Sequence, residues 1–530
     1  MTELPKSWAT ANILKLSKIY RGVTYSRADS QKDPGNGLIA ILRATNITEH
    51  GFIFDDLVFV PREIVKDDQV IRNGDIVVAT SSGSIRVVGK AVQAREDIDA
   101  SFGAFCALLR PFSGVEPRYF GHFFGTNYYR STASSLALGI NINNLKAADF
   151  EQIEVPIAPL NEQKRIADKL DTLLARVDAS RAHLERVQEI LKDFRQSVLA
   201  AAVSGRLTEE WREEKDIKNW DYEKAMDICE MVQSGGTPRE GFVFDQGIPF
   251  LKVYNLVNQK VDFCYRPQYV RPEIHNGVLK KSQTIPGDVL MNIVGPPLGK
   301  VAIVPNDYPE WNINQAITLF RPSKNVISRW LYYFLCSGFS VAEIIHETRG
   351  SAGQSNISLT QCRNFVIPVP TLEEQQEIVS RVDRLFSFAD QLEARVQTAL
   401  DRAENLTPSL LAKAFRGELV EQDPNDEPAS VLLERIRAER EAGKKKAGQS
   451  RKPVQRGKRS KTEDTMKKLA DIKSTHLSDI LKEQGRLTAE ALWKASELAI
   501  DDFYDQLKIE EAKGLLREKR EDESRLLEAI

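Results

Sequence analysis

One stretch of this sequence occurs twice, and each copy is long enough to dictate the shape of whatever fold contains it. Residues 155–207 (VPIAPLNEQKRIADKLDTLLARVDASRAHLERVQEILKDFRQSVLAAAVSGRL) align without a gap, at an offset of 212, with residues 367–419 (IPVPTLEEQQEIVSRVDRLFSFADQLEARVQTALDRAENLTPSLLAKAFRGEL). Pro156/Pro368, Leu160/Leu372, Glu162/Glu374, Gln163/Gln375, Asp171/Asp383, Gly205/Gly417 and Leu207/Leu419 are identical pairs. In each copy the apolar residues recur in alternating steps of four and three. Ile166, Leu170, Leu173, Val177, Leu184, Val187 and Leu191 mark the first seam, interrupted by Ser180. Ile378, Val382, Leu385, Leu392 and Val396 mark the second, which continues through Leu406 and Leu410. A 3.5-residue repeat sustained this long is a coiled-coil seam rather than an ordinary amphipathic face. Each helix of ~44 residues would span roughly 66 Å. One such helix in each half of the chain predicts an antiparallel intramolecular coiled coil.

The chain between the copies repeats as well. Residues 1–154 carry short β-rich runs (GLIAILRATNI, GFIFDDLVFV, GDIVVAT, VVGKAVQ, AFCALLRPF) punctuated by Gly, Pro and Asp, then a more helical stretch, RYFGHFFGTNYYRSTASSL. In residues 208–366, FVPREI (59–64) returns as YVRPEI (269–274), RNGDIVVAT (72–80) as IPGDVLMNI (285–293), VVGKAV (87–92) as PLGKVAI (297–303), and RATNI (43–47) as KVYNL (252–256). The offsets drift between 209 and 213, so the small domains carry insertions that the helices do not. Four motifs in the same order mean an internal duplication. The expected fold is α+β: a mixed domain (1–154), a long helix (155–207), a second mixed domain (208–366) and a second long helix (367–419). Thr407-Pro408 predicts a break near 405–407 and a short terminal helix over 408–416, since an interior proline costs about 3 kcal/mol.

After residue 420 the character changes. EQDPNDEPAS reads as a linker, VLLERIRAEREAGKK as helical, and residues 441–461 hold nine Lys/Arg against one acid, the composition of a disordered basic tether. Residues 420–464 are therefore expected to be linker and tether, and 465–530 a small helical domain of three helices, the last reaching into the 510s. Two of these, joined by a turn around Glu497–Ile500, suggest a helix-turn-helix. Asp501, Asp502 and Asp505 at the leading end of its second helix would repel phosphates, which favours docking to protein over reading DNA.

A search for chemistry excludes more than it finds. GSIRVVGKA (83–91) has five residues between its glycines and Ala91 where a phosphate loop needs Ser or Thr, and its counterpart GPPLGKV (295–301) has three. There is no H-E-x-x-H, G-x-S-x-G or G-x-G-x-x-G, no N-P-P-[FY] tetrad, and the six histidines do not cluster. Five cysteines without C-x-x-C spacing argue for a reducing cytoplasm and against structural zinc. No stretch is apolar enough to cross a membrane. A net charge of −2 means that any nucleic-acid contact must come from local basic patches. The sequence predicts no catalytic residue and no metal site, and a duplicated chain without chemistry points to binding.

Two similar domains carried by an antiparallel helix pair would read two separate patches of DNA, and because the halves have diverged the predicted target is bipartite and asymmetric. At this point the chain resembles the specificity (S) subunit of type I restriction–modification systems. The resemblance covers roughly residues 1–420. It rests on PLNEQKRIADKLDTLLARVD (159–178) and TLEEQQEIVSRVDRLFSFAD (371–390), on VLAAAVSGRL (198–207) and LLAKAFRGEL (410–419), on the NGDIVVAT and PGDVLMNI strands, and on NINNL (141–145) and SNISL (355–359). It implies a non-catalytic, cytoplasmic DNA-recognition subunit of a phage-defence system, holding two target-recognition domains and docking two modification subunits and, through them, two restriction subunits. S-adenosylmethionine and ATP with magnesium would belong to those partners. Base edges and phosphates are met by Ser, Thr, Asn, Gln, Arg and Lys. The expected contacts to double-stranded DNA are thus Thr80, Ser81, Ser82, Ser84, Arg86, Lys90 and Asn141 in the first domain, and Asn255, Asn292, Lys300, Arg349, Ser351, Gln354 and Asn356 in the second. The alternative is a structural coiled-coil adaptor without DNA contact.

Overall fold

A computed structural model describes the chain except residues 1–3, 49–50, 139–142, 218–219, 244–245, 348–355, 450–468, 470–471 and 522–523. The helices that organise it are α1 (Leu160–Val203), α2 (Leu372–Ala414), α3 (Ala429–Gln449), α4 (His476–Gln484), α5 (Ala489–Ser496) and α6 (Ile500–Ala512). Two compact units form: residues 1–180 with 402–530, and residues 181–401.

The first unit contains a mixed domain whose principal sheet is antiparallel, in the order Ser17–Arg21, Cys106–Pro111, Ile76–Ala79, Ala91–Gln93. The run Ile76-Val77-Val78-Ala79 lacks polar alternation because both faces of that strand are buried. A second sheet sets Ala100–Phe102 parallel to Leu38–Leu42, which pairs antiparallel with Val58–Pro61. The second unit repeats this plan. Its principal sheet runs Cys229–Ser234, Ile317–Pro322, Val289–Asn292, Val301–Ile303, and Trp311–Ile313 lies parallel to Ile248–Leu251. Two backbone positions show why the plan repeats. Gly74 and Gly287 both turn with positive φ, +88° and +90°, ahead of the matching strands. A Cβ at Gly22 would stand 2.0 Å from the Gly103 carbonyl oxygen, and one at Gly235 2.1 Å from that of Ile313, so only glycine lets these backbones cross.

The identical pairs of the long repeat fasten each domain to the helix that leaves it. The chain ends of each domain meet as a two-stranded ladder, Ala9–Asn12 with Glu154–Ile157 and Asp221–Lys224 with Val366–Val369. The Pro156 and Pro368 carbonyls accept from Tyr119 Oη (2.7 Å) and Trp330 Nε1 (3.2 Å). Buried Glu162 accepts from Trp8 Nε1 at 3.1 Å and Gln422 at 2.7 Å; buried Glu374 accepts from Trp220 Nε1 at 2.8 Å, Arg212 at 2.7 Å and Thr208 at 2.7 Å. Gln163 and Gln375 each accept a backbone N–H, from Glu116 (3.0 Å) and Ile327 (2.8 Å). Asp171 meets His122 Nε2 at 2.9 Å and Arg118 at 3.2 Å, and Asp383 meets Arg329 at 2.7 Å together with the Tyr333 hydroxyl. Charge-assisted bonds of this kind fix geometry as well as energy.

The helices pair antiparallel. In the second unit Gln188 meets Gln397 (3.5 Å) while Arg195 meets Asp390 and Glu393 (2.7 Å each), so partners descend in one helix as they rise in the other. In the first unit Ile166, Ala167 and Leu170 share one core with Leu411, Ala414 and Phe415. Of the expected seam, Ile166, Leu170, Leu191, Ile378, Val382 and Val396 are buried, and Leu173, Val177, Leu184, Val187, Leu385 and Leu392 half-buried, as a two-helix seam allows. Leu406 departs from the expectation at 48% exposure.

Three expectations are corrected. α2 runs unbroken through Pro408. Beyond the proline, Leu411 and Phe415 are anchored in the first domain's core, where the Phe415 ring lies 4.9 Å from that of Tyr119, and packing outweighs the missing hydrogen bond. The expected linker is also fastened: Asp426 accepts from Asn161 (3.2 Å) and Arg165 (2.7 Å), and α3 begins at Ala429, whose N–H donates to the Ser7 carbonyl. Most of the expected basic tether lies outside the described residues. The last segment is not wholly helical, because α6 stops at Ala512 and Leu516–Glu521 pairs with Ser524–Ala529 in a hairpin. Gly514 turns at φ +68°, after which Leu516 and Leu527 face a core, a period-2 demand that overrides the helical propensity of these residues.

Candidate nucleic-acid interface

In the first domain the candidate readers sit on the loop between Ile76–Ala79 and Ala91–Gln93. The loop is held from beneath: Gly89 N–H donates to the Ala79 carbonyl at 2.8 Å, and the Arg130 guanidinium donates to the carbonyls of Val88 (3.2 Å) and Arg86 (3.0 Å). Ser81–Ser82 pairs with Asn143–Asn144. This support leaves Ser84 and Arg86 exposed and Ser82 and Lys90 half-buried. Thr80 is a correction: it is buried, and its N–H and hydroxyl both donate to the Phe105 carbonyl, at 2.9 and 3.0 Å. Ser81 is also buried, its hydroxyl bonded to that of Tyr504. Asn141 lies outside the described residues.

In the second domain the two asparagines chosen from sequence are corrected. Asn255, 1% exposed, accepts from Lys252 N–H (3.0 Å) and donates to the carbonyls of Asp262 (3.0 Å) and Tyr265 (2.9 Å). Asn46 makes the same bonds in the first domain, to Arg43, Ile53 and Asp55. Asn292, fully buried, accepts from Lys300 N–H (2.6 Å) and donates to the Pro297 carbonyl (2.9 Å). Both side chains are buried and bonded to backbone, out of reach of a base. Lys300 is half-buried and Asn356 exposed; Ile357 N–H donates to the Ile293 carbonyl at 2.9 Å, which sets Asn356 beside the strand end carrying Asn292. Arg349, Ser351 and Gln354 lie outside the described residues.

Sequence reasoning does not single out the buried ion pair that stands behind each of these loops. Arg110 grips Asp75 with two bonds (2.7 and 2.6 Å), and Arg321 grips Asp288 likewise (2.8 and 2.7 Å). The aspartates also accept the N–H of Arg72 (2.8 Å) and Ile285 (2.9 Å), closing the turn before the strand. The signal was present in the matched G-D dipeptides and in the R-P that ends each partner strand. Arg43, at the place matched by Lys252, does pair with a local acid, Asp56, at 2.7 Å; the Lys252 ammonium instead lies over the Phe242 ring. Thr237 and Arg239, exposed on the loop after the Gly235 crossing, are further polar candidates. Among the described residues there is no cluster of metal-ligating side chains and no helix long and apolar enough to cross a membrane.

Comparison with known proteins agrees with this duplicated plan. The family described as "Type I restriction modification DNA specificity domain" matches residues 5–189 and again 217–402. The specificity subunit of the type I restriction enzyme StySPI from Salmonella potsdam is 38% identical over 450 residues, covering 83% of this chain and 96% of that protein. The EcoKI specificity subunit of Escherichia coli K12 is 37% identical over 471 residues, 85% of this chain and 99% of that one. Among solved structures, a chain of a type I restriction–modification assembly superposes with a TM-score of 0.60 at 19% identity, covering 79% of this chain and all of that one. The HsdS subunit of Thermoanaerobacter tengcongensis gives 0.51 at 19% identity, covering 79% and 98%.

Proposed function

This chain belongs to the type I restriction–modification DNA specificity family, and from that premise we propose how it recognises its target. It is a DNA sequence-recognition subunit of a type I system. In the proposed reading each mixed domain engages one half-site, the first through Ser82, Ser84, Arg86 and Lys90, the second through Lys300, Asn356 and the neighbouring segment with Arg349, Ser351 and Gln354. The observation that carries it is the pair of like domains with unlike reading loops: the same Asp–Arg and Asn–backbone supports recur, while Ser81-Ser82-Gly83-Ser84 in one faces Val294-Gly295-Pro296-Pro297 in the other. A constant scaffold with divergent loops suits a bipartite, asymmetric target, and the paired helices serve as the spacer between half-sites.

The repeated outer faces of α1 and α2 suit two copies of one partner, so the chain scaffolds two modification subunits and, through them, two restriction subunits. S-adenosylmethionine and ATP with magnesium are held by those partners, and this chain performs no chemistry of its own. The test assembles the chain with its modification partner and maps which adenines become methylated. Exchanging residues 82–86 for an unrelated loop should alter one half-site and leave the other unchanged. Methyl transfer by the purified chain alone, or a target indifferent to the exchange, would overturn this reading.

A further inference from the structure

Ala104 and Phe105 close the end of the first domain's central strand, beside Ser81 and Ser82, and their apolar surface packs into the core of the C-terminal unit formed by α4, α5, α6 and the hairpin. The Phe105 ring meets Trp493 edge-on at 5.1 Å. Tyr504, on α6 and 4% exposed, bonds its hydroxyl to Ser81, and Asp505 beside it pairs with Lys146 at 3.3 Å. The Lys494 ammonium lies 5.9 Å above the Tyr25 ring. The helix that a helix-turn-helix would place in a DNA groove therefore faces this chain's own first domain, with a carboxylate paired to a lysine that a phosphate could take.

We propose that the C-terminal unit is a built-in cap on the reading surface of the first domain, which competes with DNA for that surface and is displaced when the target binds. The inference rests on the first domain's loop reading DNA, as proposed above. Three observations support it. The cap covers the base of the loop, Ser81 and part of Ser82, directly beside exposed Ser84 and Arg86, so a duplex engaging those two meets the cap. The contact leaves an open cleft of about 240 Å³ at its edge, lined from the first domain by Tyr25, Arg43 and Ser82 and from the cap by Glu490 and Trp493, so solvent and ions reach the margin of the covered surface. The cap is selective, since Val294, which stands in the second domain where Ser81 stands in the first, is 38% exposed. Burial pushes the Tyr504 hydroxyl up to about 12, so it stays protonated and able to donate to Ser81 at neutral pH. Because cap and surface share one chain, a weak contact suffices to keep the surface covered until DNA competes.

The test uses the full chain assembled with its modification partner, as parent and as the near-isosteric double variant Tyr504→Phe/Asp505→Asn, which removes the hydroxyl tie to Ser81 and the charge facing Lys146. Affinity is measured on a duplex carrying the target and on one whose first half-site is scrambled. The double variant should bind the target about 5- to 10-fold tighter, the loss of one hydrogen bond and one ion-pair charge from the competing state, and bind the scrambled duplex as the parent does. Backbone hydrogen exchange over residues 500–507 should quicken when the parent binds target. Unchanged or weaker target binding by the variant, an equal gain on the scrambled duplex, or α6 exchange indifferent to DNA would each overturn the cap. Arg86→Ala separates this from the parent reading: if it leaves target affinity and the methylated sequence untouched, the loop does not read DNA; if it weakens binding while the cap variant is neutral, the cap alone fails.

Discussion

At the scale of residues, polar side chains divide into those that hold the fold and those available to a partner. Asp288 is 2% exposed and fully engaged by Arg321 and the Ile285 N–H, so Asp288→Ala strands a guanidinium in a half-buried place and should cost about 3 kcal/mol, read as a lowered denaturation midpoint. Asn292→Ala should cost about 2 kcal/mol by orphaning the Lys300 N–H and the Pro297 carbonyl, with the methylated sequence unchanged. Arg86→Ala should do the reverse, weakening DNA binding with stability within about 0.5 kcal/mol of the parent. Glu162 makes stability depend on pH. Burial pushes its carboxyl up, against the opposing pull of the Trp8 donor, Arg165 and Gln422. A carboxyl raised on folding contributes stability that is present below its unfolded pKa and is lost as pH rises through the folded value. The stability of the parent relative to Glu162→Gln should therefore rise as pH falls from 7 toward 5, as thermal denaturation at both values would show. Asparagine in a polar loop looks the same in sequence whether it caps a turn or reads a base; only the position of neighbouring carbonyls separates the two, and at Asn255 and Asn292 those carbonyls take the side chain.

At the scale of elements, periodicity was the reliable guide and local propensity the weaker one. The heptad located both long helices to within a few residues, because an apolar stripe dozens of residues long has no other way to be buried. Pro408 shows the limit: a local cost of about 3 kcal/mol is outweighed where a helix end is anchored by Leu411, Ala414 and Phe415 in a neighbouring core. Replacing it by alanine should restore a hydrogen bond to the preceding turn and raise stability by about 1–3 kcal/mol, measured by chemical denaturation. An unchanged midpoint would mean that the helix has already adjusted around the proline. Leu516–Glu521 shows the same competition in the other direction, where pairing across a hairpin turned a helix-forming run into a strand.

At the scale of the whole molecule, the helices keep register without an indel while the domains they carry drift, as a spacer requires and a mere connector does not. A heptad added to both helices, after Ser180 in α1 and at the paired level of α2, preserves the seam and adds ~10 Å. The gap between half-sites should lengthen while both half-sites stay the same, an outcome read from the methylated sequence. An unchanged gap would remove the helices from the measurement of distance.

The sequence alone determined the duplication, the antiparallel helix pair and the family, because these rest on patterns extending over tens of residues that no single contact can disguise. It marked Glu162, Gln163 and Asp171 with their partners as identical without saying what they touch. Tertiary structure decided that they are fastenings, since Trp8, His122 and Gln422 reach them from 49 to 260 residues away in the chain. It also decided which polar groups remain free at the surface, and that the C-terminal unit lies over the first domain's loop. Those outcomes depend on which distant segments share a few ångströms of space, and a linear pattern does not encode that distance.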